Sequence, residues 1–252
     1  DERLGWTGDA HVFAPTASFT MYTPAFYEKY LHDMLLEQRR LDGSVPHVVP
    51  DVLDVIARIL HEPQTGFGSC AWGDAAVGIP WTVYNFFGDK ALLRRQFENM
   101  RLWVDWIKKQ DDEHCGAKRL WNCGFHFADW LALDNPVQGS SFGGTDPYYV
   151  ASAFYYSSAD IVAQAAQALG LEAEHAYYAN LAQEVKTAFR REFFTETGRA
   201  DADGHAARPV DEPRTGRAPR AHLPRPEGKD QDARLAYGYR FRRHVLPLPH
   251  AD

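Results

Sequence analysis

The sequence lacks long apolar runs and has few cysteines. None of its 252 residues belong to a stretch approaching the roughly 20 consecutive apolar residues that a membrane-spanning helix needs. Nothing near Asp1 resembles the charged start and apolar core of a signal peptide. The three cysteines cannot all pair within one chain, and a chain of this length does not depend on disulfides to fold. We therefore expect a soluble globular chain whose cellular compartment stays unknown.

The chain also lacks the positive charge that proteins use to bind nucleic acid. Its formal net charge is -7 at pH 7, so no basic surface for phosphate groups is expected and a neutral substrate is favoured. Aromatic residues make up 13% of the chain and include 7 tryptophans, whose flat rings pack protein cores and stack on sugars. The composition thus excludes a nucleic-acid partner and is compatible with a carbohydrate partner.

The pattern that is present is that of the α-helix. Apolar residues recur at three- and four-residue spacing between capping residues. The predicted helical segments are 24–43, 89–107, 146–170 and 171–193, with shorter ones at 8–21 and 74–87. No segment alternates as a strand does, so these helices must pack on one another. The predicted fold class is all-α, which leaves a bundle, a superhelical array or a barrel of helical hairpins.

Residues 199–252 differ in composition from the rest. They hold seven of the 15 prolines and ten arginines but no Trp, Ile, Ser, Asn, Cys or Met. We therefore divide the chain into a helical domain, 1–198, and an atypical tail, 199–252, that is either disordered or translated out of frame from a GC-rich gene. Restoring a helical pattern by shifting the reading frame near residue 203 would support the second interpretation.

Three short motifs place tryptophan and carboxylates on predicted loops. They read DERLGWTGD at residues 1–9, AWGDAAV at 71–77 and ADWLA at 128–132. Glycosidic cleavage needs two carboxyl groups in opposite protonation states, one of them an acid for the leaving oxygen. Each motif also has a plain structural alternative, as a surface salt-bridge cluster or as a helix cap beside a core tryptophan. In a barrel of hairpins these loops lie at one end, where their side chains would form one pocket.

A zinc site is an alternative for part of the chain. His114, Cys115, Cys123 and His126 offer four ligands within thirteen residues. Their spacing fits no common zinc motif, so free thiols and ordinary histidines are favoured. We predict neither a metal nor a cofactor.

Taken in order, the three motifs resemble those of glycoside hydrolase family 78 α-L-rhamnosidases. GGTD at 143–146, followed by AFYYS at 153–157, is also similar to that family, so the resemblance covers roughly residues 1–200. It implies an (α/α)6 barrel, incomplete in this chain, that releases terminal α-L-rhamnose with inversion. The implied partner is a rhamnose-containing glycoside or polysaccharide, and no membrane partner is expected.

The resemblance also implies roles for individual residues. Glu2 stands at the position of the general acid, Trp6 at that of a residue packing on the sugar ring, and Asp9 at that of an acceptor for sugar hydroxyls. Arg3 either contacts the sugar or holds Glu2. The further predicted substrate-binding residues are Trp72 and Trp130, as aromatic walls, together with Asp74 and Asp129, which could equally cap helices or orient neighbours.

Two features depart from the family pattern. The base glutamate has no counterpart in the matching stretch, and His11 stands where an amide is usual. Two other functions therefore stay open: an inactive fragment or sugar-binding remnant, and a different (α/α)-barrel carbohydrate enzyme. The oligomeric state is not predicted.

Overall fold

The computed structural model describes residues 3–59, 68–133, 139–195 and 198, all within one compact unit, Asp1–Arg208. The helices are α1 (Thr7–Thr20), α2 (Pro24–Arg40), α3 (Val52–Ile59), α4 (Ala75–Phe87), α5 (Lys90–Glu113), α6 (Pro147–Leu169) and α7 (Glu172–Phe193). The pairing of extended backbone within these ranges consists of two isolated β-bridges. The all-α prediction is confirmed. The predicted tail, 199–252, lies outside the described residues, and the boundary at 198 stays a prediction.

Helix ends follow the capping residues of the sequence. The Asp89 carboxylate accepts a hydrogen bond from the Leu92 amide at 2.8 Å and begins α5. Asp146 accepts from the Tyr148 amide at 2.8 Å and begins α6. Gly170 ends α6 in the left-handed conformation, with φ 73°, which glycine adopts without steric cost.

Helix α3 lies outside the predicted helical segments. It has only eight residues, and of these only Leu53 and Asp54 are buried. Its other apolar side chains stay partly exposed, with Ile59 68% accessible. A helix this short gives little periodic signal, and α5 likewise extends past the predicted end at Ile107 to Glu113.

The long helices pack on one another. Helix α4 contacts α1, α2, α5 and α6, helix α5 also contacts α2 and α6, and α7 packs on α6. The core contains fully buried large side chains, among them Leu31, Met34, Ile79, Met100 and Trp103. Each such aliphatic side chain contributes about 1.5–3 kcal/mol on burial. None of the described helices has the length and apolar character needed to cross a membrane.

Helices α1 and α4 run parallel. Gly8, at the start of α1, approaches Trp72, just before α4, and Phe19 and Phe86 meet at the opposite ends of the two helices, with 6.2 Å between ring centroids. The segments that precede the two helices therefore lie at the same end of the molecule.

Candidate active site

The segment carrying the first motif is held by the loop that follows α2. The Thr7 amide donates to the His47 carbonyl at 2.9 Å, and the Val49 amide donates to the Gly5 carbonyl at 2.9 Å. The Thr7 hydroxyl also donates to the His47 carbonyl, at 3.0 Å. These bonds on both sides of Trp6 fix the backbone from which its indole projects.

Small residues let α1 approach α4 closely. A Cβ at Gly8 would lie 2.6 Å from the Trp72 ring, and one at Gly78 would collide with the His11 imidazole. The His11 Nδ1–H donates to the Ala71 carbonyl at 2.8 Å. The histidine that departs from the family pattern, two residues after the first motif, thus joins α1 to the second motif.

The three predicted indoles meet around one phenyl ring. Phe127 lies 4.4 Å from Trp72, 5.3 Å from Trp130 and 6.3 Å from Trp6, measured between ring centroids. The His47 imidazole approaches the same ring at 4.9 Å. We call these five residues the Phe127 cluster. Sequence reasoning missed Phe127 and His47, and the only signal for Phe127 was its place in an aromatic-rich irregular stretch.

Asp74 is buried and bonded on both carboxylate oxygens. The residue as a whole is 1% exposed. Oδ2 accepts from the Ala71 amide at 2.7 Å, and Oδ1 accepts from the Trp103 indole N–H at 2.9 Å and from the Ser158 hydroxyl at 2.5 Å. The carboxylate therefore ties the turn that carries Trp72 to α5 and α6. It does not cap α4 through its side chain.

Asp129 has a comparable structural position in the third motif. Its Oδ2 accepts from the Thr145 hydroxyl at 2.7 Å, and its carbonyl accepts from the Gly143 amide at 2.8 Å. Trp130 forms an isolated bridge with Phe142, and their rings lie 5.1 Å apart. These contacts hold Trp130, which is 38% exposed, at the rim of the Phe127 cluster.

The two described charged residues of the first motif, Arg3 and Asp9, are exposed. Asp9 is exposed in the first turn of α1, and Arg3 is exposed ahead of it. The Tyr30 hydroxyl donates to the Gly5 carbonyl at 3.2 Å. Burial raises the pKa of Tyr30 well above its usual value, and the nearby Asp9 carboxylate adds to this rise. Glu2, the predicted general acid, lies outside the described residues.

The irregular segment after α5 is held by covalent and charged contacts. Cys115 and Cys123 form a disulfide, with 5.3 Å between their Cα atoms. The Asp111 carboxylate accepts from the amides of Lys118 and Arg119, at 2.9 and 3.0 Å. The segment is thereby fixed shortly before it reaches Phe127.

The zinc alternative loses its ligands in this arrangement. The sulfurs of Cys115 and Cys123 are bonded to each other, so the expectation of free thiols at these two positions is wrong. The His126 Nδ1 accepts from the Cys70 amide at 3.2 Å, and its Nε2–H donates to the Cys123 carbonyl at 3.0 Å. Within the described ranges, no group of three or more His, Cys, Asp or Glu side chains is arranged to hold a metal ion.

A groove of about 560 Å³ opens elsewhere, between α5 and α7. Its lining mixes acidic and basic side chains, several of which pair with one another, as Lys108 does with Asp112 at 2.5 Å. None of the predicted site residues that the structure describes lines this groove. We base the site on the converging motifs, because their rings and carboxylates match the chemistry of a sugar and the groove's paired charges do not.

The family comparison covers most of the chain. The family described as the bacterial alpha-L-rhamnosidase 6 hairpin glycosidase domain matches residues 1–210. This range includes all three motifs and every described helix.

Curated relatives of the chain are named alpha-L-rhamnosidase. An alpha-L-rhamnosidase of Formosa agariphila is 34% identical over 194 residues, which is 77% of this chain and 19% of that protein. One of Streptomyces avermitilis is 32% identical over 207 residues, 82% of this chain and 18% of that protein. The chain thus spans about a fifth of the length of these relatives.

Solved structures agree with the fold. The rhamnosidase of Aspergillus terreus superimposes with a TM-score of 0.67 at 32% identity, over 79% of this chain and 22% of that one. The Streptomyces avermitilis enzyme, solved in complex with L-rhamnose, gives a TM-score of 0.64 at 30% identity, over 81% of this chain and 17% of that one.

Proposed function

We propose that this chain, which belongs to the family of bacterial α-L-rhamnosidase six-hairpin glycosidase domains, releases terminal α-L-rhamnose from glycosides or polysaccharides. The observation that carries the proposal is the meeting of three indoles from three separate loops around Phe127. Converging aromatic faces, with the exposed Asp9 carboxylate three residues after Trp6 in the chain, suit a neutral ring that has apolar faces and hydroxyl edges.

In the proposed reaction Glu2 is the general acid. It would protonate the glycosidic oxygen as the bond to the anomeric carbon breaks, while a second carboxylate deprotonates a water on the opposite face of the sugar. An inverting reaction needs these carboxyl groups about 6.5–9.5 Å apart, so that the water fits. We assign no residue of this chain to the base, because no glutamate here has a matching sequence context.

For substrate binding we propose contact roles for the exposed or partly exposed residues. Trp6, Trp72 and Trp130 would form the walls of the pocket. Asp9 would accept hydrogen bonds from sugar hydroxyls, which its exposure on the first turn of α1 permits. Arg3 would either contact the sugar or orient Glu2.

For Asp74 and Asp129 we propose orienting roles. Both oxygens of Asp74 already accept hydrogen bonds from protein groups, and Asp129 accepts from Thr145. A carboxylate engaged in this way holds its neighbours and has little capacity left for a ligand. The two residues would then act through Trp72 and Trp130, respectively.

The proposal is tested by hydrolysis of p-nitrophenyl α-L-rhamnoside. Turnover should be present in the wild type, absent in Glu2→Gln and retained in Glu172→Gln, which removes an exposed glutamate on α7. Turnover that survives Glu2→Gln would contradict the acid assignment.

A second candidate function is sugar binding without turnover. It is favoured because no residue of this chain is assigned as the general base. L-rhamnose binding without hydrolysis by a folded chain would select it. Hydrolysis of glucosides or uronides in preference to rhamnosides would instead indicate a different barrel enzyme.

A further inference from the structure

Among the residues that the structure describes, two buried polar atoms of the Phe127 cluster have no hydrogen-bond partner. They are Nε2 of His47 and Nε1 of Trp72. Their rings pack on the same phenyl ring, with centroids 4.9 and 4.4 Å from that of Phe127. His47 as a whole is 7% exposed. The otherwise apolar cluster thus contains one unpaired imidazole nitrogen and one unpaired indole N–H.

The described part of the chain holds six further buried polar atoms without a hydrogen-bond partner, namely Gln38 Oε1, Ser44 Oγ, Asp51 Oδ2, Gln96 Oε1, Asn99 Oδ1 and Tyr155 OH. The ring nitrogens of one other buried histidine and of one other buried tryptophan, by contrast, are paired. His126 is equally buried, yet both of its ring nitrogens have backbone partners. The buried indole N–H of Trp103 donates to Asp74 at 2.9 Å. A buried polar group without a partner costs about 1–3 kcal/mol. Two such groups pack on one phenyl ring of the candidate site, and a ligand group that bonds to both would remove this cost.

The chemistry of the two atoms defines that ligand. An indole N–H can only donate, whereas a neutral imidazole that carries its proton on Nδ1 accepts at Nε2. A hydroxyl group satisfies both, because its oxygen accepts from Trp72 while its hydrogen is donated to His47. Burial lowers the pKa of His47 to about 4, so the imidazole is neutral near pH 7. An ammonium group can only donate and would leave the indole N–H unpaired, whereas a carboxylate pairs with both atoms when the imidazole carries its proton on Nε2. The neutral sugar of the proposed function selects the hydroxyl.

The backbone around His47 fixes the imidazole relative to the first motif. The His47 carbonyl accepts from both the amide and the hydroxyl of Thr7, the residue that directly follows Trp6. Trp72 in turn lies against Gly8. The two unpaired atoms therefore belong to the same small region as the proposed walls of the sugar pocket.

We propose that His47 and Trp72 together bind one hydroxyl group of the sugar, which makes His47 a specificity-determining residue of this pocket. The inference rests on the proposed function for the identity of the sugar. It assigns to His47 a role that none of the three motifs contains.

Nuclear magnetic resonance of the ¹⁵N-labelled chain tests the site directly. Addition of L-rhamnose should shift the Trp72 Nε1–H and His47 Nε2 resonances. The corresponding resonances of Trp103 and His126, which already have protein partners, should stay in place and serve as matched controls. Unchanged Trp72 and His47 resonances up to the solubility limit of the sugar would overturn the inference, as would equal shifts in the controls.

Monodeoxy rhamnosides identify the hydroxyl. Wild-type chain should bind one of the deoxy sugars about tenfold more weakly than L-rhamnose, the loss expected for one hydrogen bond. His47→Phe should bind L-rhamnose about tenfold more weakly and no longer distinguish it from that deoxy sugar. His114→Phe, at an exposed histidine on the end of α5, should match the wild type. His47→Asn, which keeps a polar group, provides a second variant if the phenylalanine disturbs folding.

The outcomes separate this inference from the proposed function. Binding with the predicted shifts but no hydrolysis would refute the enzyme proposal and leave the hydroxyl site standing. Hydrolysis by a His47→Phe variant with unaltered affinity and unaltered deoxy-sugar preference would support the enzyme and refute the role of His47.

Discussion

Acidification should destabilise this fold through its two buried neutral histidines. Burial lowers the pKa of His47 and of His126 to about 4, whereas a histidine in an unfolded chain titrates near 6.5. Between these values the unfolded chain binds protons that the folded chain does not bind. The free energy of unfolding therefore falls as the pH falls from about 6.5 towards about 4, and the contribution is complete above 6.5.

The expected loss is large. From about pH 7 to about pH 4.5, a shift of this size removes about 2.4 kcal/mol per histidine, and about 5 kcal/mol for the two together. The whole free energy of unfolding of a domain is about 5–15 kcal/mol. Burial raises the pKa of Asp105 and Asp111. On acidification these carboxylates therefore bind protons in the folded chain at a higher pH than in the unfolded chain, which opposes the loss of stability at the acid end of the range.

Urea unfolding followed by tryptophan fluorescence at the two pH values measures this effect. His126→Asn removes one titrating group while its side-chain oxygen can still accept from the Cys70 amide, so it should remove about half of the pH dependence. A free energy of unfolding that is constant across the range would refute the reasoning. So would titration of both imidazoles in the folded protein near 6.5, observed by nuclear magnetic resonance.

Three further substitutions test how the site is supported. Gly8→Ala should lower the free energy of unfolding by about 1–2 kcal/mol and alter tryptophan fluorescence, since the added Cβ would lie 2.6 Å from Trp72. This overpacking outweighs the gain in helix propensity. Unchanged stability would contradict the close approach of Gly8 to Trp72. Asp74→Asn should cost about 3–5 kcal/mol in urea unfolding, because one amide oxygen cannot replace a buried carboxylate that accepts three hydrogen bonds. Replacing Cys115 and Cys123 by serine should cost about 2–3 kcal/mol, the entropy of closing so short a loop, and equal stability of the serine variant and the oxidised wild type would refute the disulfide.

Most of the helical fold could be predicted from the sequence because its signals are local. Asp89 and Asp146 begin helices through their own side chains, and Gly170 ends one through its backbone conformation. These effects act within a few residues. Helix α3 was missed because eight residues with few buried side chains give no clear stripe.

The candidate site was predictable only in part. Trp6, Trp72 and Trp130 stood out because indoles beside carboxylates on loops are chemically conspicuous, and they lie in one cluster. Phe127, which joins them, has no polar atom to mark it. His47 contacts Phe127 across a large separation in sequence, and no local pattern announces such a contact.

Burial separates two roles that the sequence letters could not distinguish. Asp9 and Asp74 each follow a tryptophan and a glycine in similar motifs, yet Asp9 is exposed and Asp74 is 1% exposed. Since α1 and α4 run parallel, the two motifs lie at the same end, and the turn before α4 is held from below by the buried carboxylate. A carboxylate that fixes the turn leaves the indole above it in one position, while the exposed carboxylate remains available to a ligand. Loss of the buried carboxylate in Asp74→Asn should therefore mainly lower the stability of the fold. Loss of the exposed carboxylate in Asp9→Asn should weaken sugar binding by roughly 1.5–3 kcal/mol per hydrogen bond without unfolding the chain. Calorimetry compares the two variants, and equal effects on stability would contradict this division of roles.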